Sequence, residues 1–191
     1  MQAYQDITLL PGDDIGHHFL WEKVYQQVHL ALVDNKNNHG NPVGITFPEF
    51  NTDKHRLGRK LRLFAPDIAA LEKVAINRWL ERLTDYVHIT GIRPVPDKLT
   101  GYVRFDRLRP KSNKERLARR SAKRQGIGYE EALAQYKDFQ PEYTQAPFIW
   151  AKSTSRNQRF RLFISQKSTT EVGTTNFNAY GLTKTGALPH F

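Results

Sequence analysis

Residues 4–33 read YQDITLLPGDDIGHHFLWEKVYQQVHLALV, and within this one stretch the apolar period changes from that of a strand to that of a helix. Residues 4–9 alternate polar and apolar side chains, as a strand with one buried face does. From residue 19 to 33, Leu20, Val24, Val28, Ala31 and Leu32 recur at helical spacing, so an amphipathic helix is expected to follow that strand. Further along, 43–47 and 57–64 are short β-like runs, the second alternating Leu57, Arg59, Leu61 and Leu63. Pro66 and Asp67 open a helical stretch through Ile68, Leu71 and Val74 that continues or restarts to Trp79, Leu80 and Leu83, ahead of a β-like run at 86–89. The order β-α-β-β-α-β is that of a ferredoxin-like domain. Pro94 and Pro96 mark a linker at about residues 92–100. The expectation is therefore an α+β chain, with a ferredoxin-like domain over 1–94 and a smaller α+β domain over 95–191.

In the second part, 102–108 reads as extended, and Ser112 with Glu115 three residues later has the form of a capping box. A helix is expected from Asn113 to about Gln125, where Gly126 and Gly128 stop it, then a shorter helix over 129–136 and strands over 148–151, 159–164 and 176–182. No internal repeat or low-complexity tract interrupts this order.

Composition narrows the function classes. The 191 residues include no cysteine, which excludes disulfides, thiol nucleophiles and thiolate zinc sites. The seven histidines show no pair at metal-ligand spacing near an acidic cluster, so neither a metal nor a cofactor is expected. No apolar stretch is long enough to span a bilayer, and the N-terminal residues lack a secretory pattern, so a cytoplasmic protein without a membrane partner is expected. The formal charge of +10 points to a polyanionic partner. Between Arg104 and Arg124 stand ten basic residues against two acidic ones, Asp106 and Glu115, a surplus of eight.

On the expected helix, Arg116, Arg120, Lys123 and Arg124, with Arg119 at the edge, share one face. A solvated face is the ordinary reading of a charge run, but on this face Arg116, Arg120, Lys123 and Arg124 have no carboxylate at pairing distance, and like charges at i+4 destabilise a helix by themselves. An anionic partner offsets that cost, and the planar guanidinium suits phosphates and guanine edges. Charge alone leaves RNA and DNA open: a helix fits the A-form major groove only where the duplex is short, as in a hairpin stem.

The run Arg107, Leu108, Arg109, Pro110, Lys111, Ser112, Asn113, Lys114, Glu115, Arg116 and Leu117, with Arg119, Arg120, Lys123 and Arg124, resembles the arginine-rich helix of the CRISPR repeat-processing endoribonucleases of type I-F systems. Similarity continues in order along the chain: residues 4–9; Val28, His29, Ala31 and Leu32; Phe47 and Pro48; 160–164; and Tyr180, Gly181, Leu182, Lys184, Gly186 and Phe191. The resemblance implies an N-terminal ferredoxin-like domain, a C-terminal domain bearing the basic helix, and metal-independent cleavage of the CRISPR transcript at the 3′ base of each repeat hairpin. The product would stay bound within a surveillance complex of further protein subunits.

It also implies a catalytic histidine in the first helix, a serine ahead of the Phe-Arg-Leu-Phe strand and a tyrosine ahead of the Gly-Leu pair, here His29, Ser153 and Tyr180. RNA supplies its own nucleophile, the 2′-hydroxyl, so the protein must supply a base and a geometry, and an imidazole titrating near ~6.5 suits the base. The resemblance thus implies His29 as the base, Ser153 as the residue that holds the ribose, and Tyr180 as the one that orients the histidine. Read by themselves, His29 is an ordinary helix histidine lying about a third of a turn from the apolar stripe, Ser153 with Thr154 and Ser155 is a turn, and Tyr180 is a strand aromatic.

For binding, the resemblance implies Arg107, Arg109, Lys111, Arg116, Arg119, Arg120, Lys123, Arg124, Ser155 and Phe160. Arg109 stands where the family has glutamine; arginine pairs best with guanine and glutamine with adenine, so a changed base pair is expected there. Affinity unaffected by exchanging that pair in the RNA removes this expectation. Phe160 has two readings, a platform for the lowest base pair or a core side chain in register with Leu162 and Ile164. Two rivals share the basic helix: a hairpin-binding subunit that does not cut, and a DNA-binding regulator.

Overall fold

The computed structural model describes residues 1–12, 15–36, 40–153, 157–170 and 176–191. The chain is α+β, with antiparallel sheets and few helices. Its residues form two compact units, Met1–Arg107 with Ala146–Phe191, and Leu108–Gln145, a division that differs from a single boundary at 94/95.

In the first unit, β1 (Ala3–Leu9) is followed by α1 (His17–Asp34), β2 (Gly44–Thr46), β3 (Lys60–Ala65), α2 (Ile68–Val74), α3 (Ile76–Trp79), a single 3₁₀ turn at Glu81–Leu83 and β4 (Val87–Ile89). The sheet order is β2-β3-β1-β4, with β1 antiparallel to β3 (Ile7 opposite Leu61) and to β4 (Thr8 opposite His88). The linker expected at 92–100 begins with a two-residue strand, β5 (Arg93–Pro94), paired to β1. β3 starts three residues later than the alternation from Leu57 suggests. Gly58, at φ +79°, takes a backbone shape that interrupts pairing and lies where a Cβ would clash with Glu49.

Alternation along β1 is amphipathic in an unexpected sense, because both faces are covered. Ala3, Ile7 and Leu9 join the main core with Val24, Val28 and Leu32 of α1. The opposite face carries Asp6 and Arg62, whose side chains form a buried bidentate pair at 2.6 and 3.0 Å, with the guanidinium also over the rings of Tyr4 and Phe191. Phe64, Phe177 and Leu188 form a small second cluster there. This cluster brings the C-terminal segment back onto the first sheet.

β6 (Gly101–Leu108), β7 (Phe148–Lys152), β8 (Arg159–Thr169) and β9 (Leu188–His190) make a second sheet in the order β7-β8-β6-β9. The strand expected over 176–182 is absent. Asn178 instead accepts the amides of Tyr180 (2.8 Å) and Leu182 (3.3 Å) on its side-chain oxygen, an Asx turn, and Gly181 turns the chain at φ +70°. The final strand, β9, escapes notice in the sequence because it is three residues long and contains Pro189, which an edge strand tolerates.

In the second unit, α4 (Lys114–Gln125) is capped by Asn113, whose Oδ1 accepts the Arg116 amide at 2.7 Å, and not by Ser112. Asn113 is the last residue with extended dihedrals, so its oxygen and not that of Ser112 faces the free amide three residues on. Gly126 ends the helix at φ +69°. α5 (Tyr129–Ala134) packs against α4, with Ala118 and Ser121 of α4 and Ala132 of α5 buried.

Candidate active site

α1 positions His29 by burying a wide stripe. Trp21 and Tyr25 join the expected Leu20, Val24, Val28, Ala31 and Leu32, and His29 itself keeps only 8% of its surface exposed. The side chain is held at two points by the turn at 178–181. Its Nδ1 lies 2.7 Å from the Ala179 carbonyl oxygen, and its ring stacks on that of Tyr180 with centroids 4.2 Å apart and planes 9° apart. A carbonyl can only accept, so Nδ1 carries the proton and Nε2 presents a lone pair. Burial lowers the pKa of His29 from its ordinary value, with the Ala179 hydrogen bond working in the opposite direction. The neutral imidazole, the form that can accept a proton, is thus favoured near neutrality.

The turn is itself anchored. Tyr25, one helical turn before His29, is buried and donates its hydroxyl to the Tyr180 carbonyl at 2.9 Å; burial, with a further push from Tyr180, holds its phenol well above the ordinary tyrosine range. Ile45 donates its amide to the Gly181 carbonyl at 2.9 Å, and a Cβ at Gly181 would sit 2.7 Å from Ile45 Cγ2 and 3.1 Å from Leu32 Cδ1. Only glycine combines that approach with positive φ. Tyr25 and the Ala179 carbonyl, which hold the turn and the imidazole, are parts of the site that the residue pattern did not single out. Tyr25 did carry a signal, its i, i+4 relation to His29; a backbone carbonyl carries none.

Arg107, near the end of β6, lies with its guanidinium carbon 4.8 Å from the Phe160 ring centre and 5.9 Å from that of Tyr180, cation–π range for both. Phe160 is half-buried and packs against the main core, opposite Ala151 in the β7–β8 ladder. Ser153 follows β7 directly; its amide donates to the Gln158 carbonyl at 2.9 Å, and the preceding Lys152 amide reaches Gln26 Oε1 on α1 at 3.4 Å, one turn before His29. His29, Tyr180, Arg107 and Phe160 thus form a chain of touching rings and cation, with Ser153 at the strand end tied to α1. Ser155 lies outside the described residues.

In the second unit, Arg116, Arg119, Arg120, Lys123 and Arg124 are all exposed on α4, as are Arg109 and Lys111 ahead of it. Among the described residues only Lys111 of these has an ion-pair partner, Glu142 at 3.8 Å, and an exposed pair of that length contributes little. The face opposite the cations, Ala118 and Ser121, is the buried one. Among the described residues no group of three or more His, Asp or Glu side chains converges as metal ligands would, and no helix is long and apolar enough to cross a membrane.

A family model described as CRISPR-associated protein (Cas_Csy4) matches residues 4–191. The CRISPR-associated endonuclease Cas6/Csy4 of Pseudomonas aeruginosa (strain UCBPP-PA14) is 35% identical over 196 residues, covering 100% of both chains. The CRISPR-associated endonuclease Cas6/Csy4 of Escherichia coli (strain UTI89 / UPEC) is 31% identical over 192 residues, again with 100% of both chains covered.

Proposed function

The chain belongs to the Cas_Csy4 family of CRISPR-associated proteins, and on that premise we propose that it is a metal-independent, hairpin-specific endoribonuclease that processes CRISPR precursor RNA. The observation that carries this reading is the His29 imidazole, held in one tautomer by the Ala179 carbonyl and in one plane by the Tyr180 ring.

In the reaction, Nε2 of His29 takes the proton of the 2′-hydroxyl at the 3′ base of the repeat stem. The freed oxygen bonds to the adjacent phosphorus, the bond from phosphorus to the 5′-oxygen breaks, and that oxygen takes a proton from solvent. A 2′,3′-cyclic phosphate and a 5′-hydroxyl remain. Ser153 holds the ribose in line, a positioning effect that in general supplies several kcal/mol. Arg107 and Arg109 read base edges near the foot of the stem, Phe160 is the platform for its lowest pair, Lys111 and the α4 cations track the phosphates, and Ser155 joins the RNA contacts. A strong phosphate component slows release, which fits retention of the product in a complex with further subunits.

The order β2-β3-β1-β4 with two helical crossovers supports reading residues 1–94 as a ferredoxin-like domain carrying the base, and 95–191 as the part that supplies the basic helix, Ser153 and Tyr180. We place the protein in the cytoplasm with the transcript it cuts.

Incubation with the cognate hairpin in EDTA tests the reading: a cyclic-phosphate product is expected, and it should vanish with a 2′-deoxy nucleotide at the scissile position. RNA bound but left uncut would favour a non-cleaving subunit. Because the pKa of His29 is lowered, its base form is already dominant at its ordinary ~6.5. The midpoint of the rise in cleavage rate should therefore lie below about pH 6.5, with the rate levelling off on the alkaline side of it; a midpoint above pH 7 would assign the base elsewhere.

A further inference from the structure

The first unit carries a second cationic place that the cleavage scheme does not use. At the N-terminal end of α1 a cleft of about 490 Å³ is lined by His17, His18, His55, Arg56 and Arg59 around an apolar floor. The floor is fixed: Trp21 and Leu57 are each 4% exposed, and the Trp21 indole N–H donates to the Gly58 carbonyl at 3.0 Å. Phe148 forms one wall, stacked with the His18 ring at 5.8 Å between centroids. The turn that carries the cations is built rather than loose, since Asn51 and Arg56 exchange both backbone hydrogen bonds at 2.9 and 3.0 Å. Among the described residues no carboxylate lines the cleft or pairs with either arginine side chain; Glu49, on the same turn, accepts the Arg59 backbone amide.

This cleft and the His29 site lie on one seam. α1 and β7 run side by side, His18 against Phe148 near one end and Gln26 against the Lys152 amide near the other, one turn before His29. Eleven residues separate His18 from His29. At about 1.5 Å of rise per residue that is roughly 16 Å, the length of about five stacked nucleotides at ~3.4 Å each.

We infer that the cleft is a subsite for single-stranded RNA on the 3′ side of the scissile phosphate, with phosphodiesters held by Arg56, Arg59 and the imidazole N–H groups, and a base laid on the exposed His18 ring, which stacks on Phe148. Guanidinium and imidazole donors around an aromatic wall are the combination that holds an unpaired strand without reading its sequence. The strand 3′ of the cut begins at the phosphate His29 addresses, whereas the strand 5′ of it is stem, so the 3′ strand is the one the seam leads away from the site. The inference rests on the cleavage reading above.

The test uses the repeat hairpin made uncleavable by a 2′-deoxy nucleotide at the scissile position, carrying 3′ flanks of zero, three or eight nucleotides. Affinity should tighten about tenfold from zero to eight, most of it beyond three. The Arg56→Ala/Arg59→Ala variant should bind the unflanked hairpin as the wild type does and lose that gain; both side chains are exposed, and an unchanged melting curve checks the fold. A 4-thiouridine at the fifth flank nucleotide should crosslink to the peptide carrying His18 or Phe148. Affinity independent of the flank, a gain that persists in the double variant, an equal gain from a 5′ flank, or a crosslink to 114–125 would each overturn the inference while leaving hairpin cleavage standing. Failure to bind the unflanked hairpin at all would overturn the cleavage reading and this one with it.

Discussion

α1 and α4 carry the two halves of the proposed reaction, and they are built by opposite rules. α1 buries eight of its 18 residues and hands His29 to partners elsewhere in the fold. α4 buries two of its 12, Ala118 and Ser121, and turns its cations to solvent. A buried helix acts through what the rest of the chain brings to it, whereas an exposed one acts through what it already carries. Chemistry and affinity should therefore separate cleanly under substitution.

The largest expected effect is on α1. His29→Ala should lower single-turnover cleavage on the order of 10² to 10⁴-fold with hairpin affinity within about twofold, read by quench and by gel shift on the same RNA. A matching loss of affinity would mean that the two helices do not divide the work. On α4, Arg116→Ala and Arg120→Ala should each weaken hairpin binding and lower the slope of log affinity against log salt by about one, while cleavage at saturating protein is kept. A slope that does not change would leave these arginines as solvated surface.

Tyr25→Phe probes what α1 borrows from the turn. Removing the hydroxyl leaves the Tyr180 carbonyl without that donor, a loss of about 1–3 kcal/mol, which for a chain of this size lowers the melting midpoint by roughly 2–4 °C per kcal/mol. Cleavage should fall with it, because the Ala179 carbonyl sits on the same turn; thermal melting beside cleavage kinetics reads both. The smallest effect belongs to Asn113→Ala, which removes the α4 cap for about 1 kcal/mol. Faster amide exchange confined to the first turn of α4 would show it, and unchanged protection there would move the cap to another residue.

The difference between the helices also explains what could be read in advance. β1, α1 and α2 declared themselves through period, and α4 through charge bounded by Asn113 and Gly126, because those signals are local. The bounds failed where a local rule met a distant contact. β3 begins at Lys60 because Gly58 packs on Glu49, the cap fell on Asn113 and not on Ser112, and 176–182, expected as a strand, turns at Asn178 and Gly181.

The cationic face of α4, the apolar stripe of α1 and the order of the first elements followed from the residues alone, since each depends on neighbours within one or two turns. Tertiary structure alone decided which tautomer His29 holds and which ring it stacks on. Those partners, Ala179 and Tyr180, stand 150 and 151 positions away, and a backbone carbonyl acquires a role only when the fold carries it to a side chain that needs an acceptor.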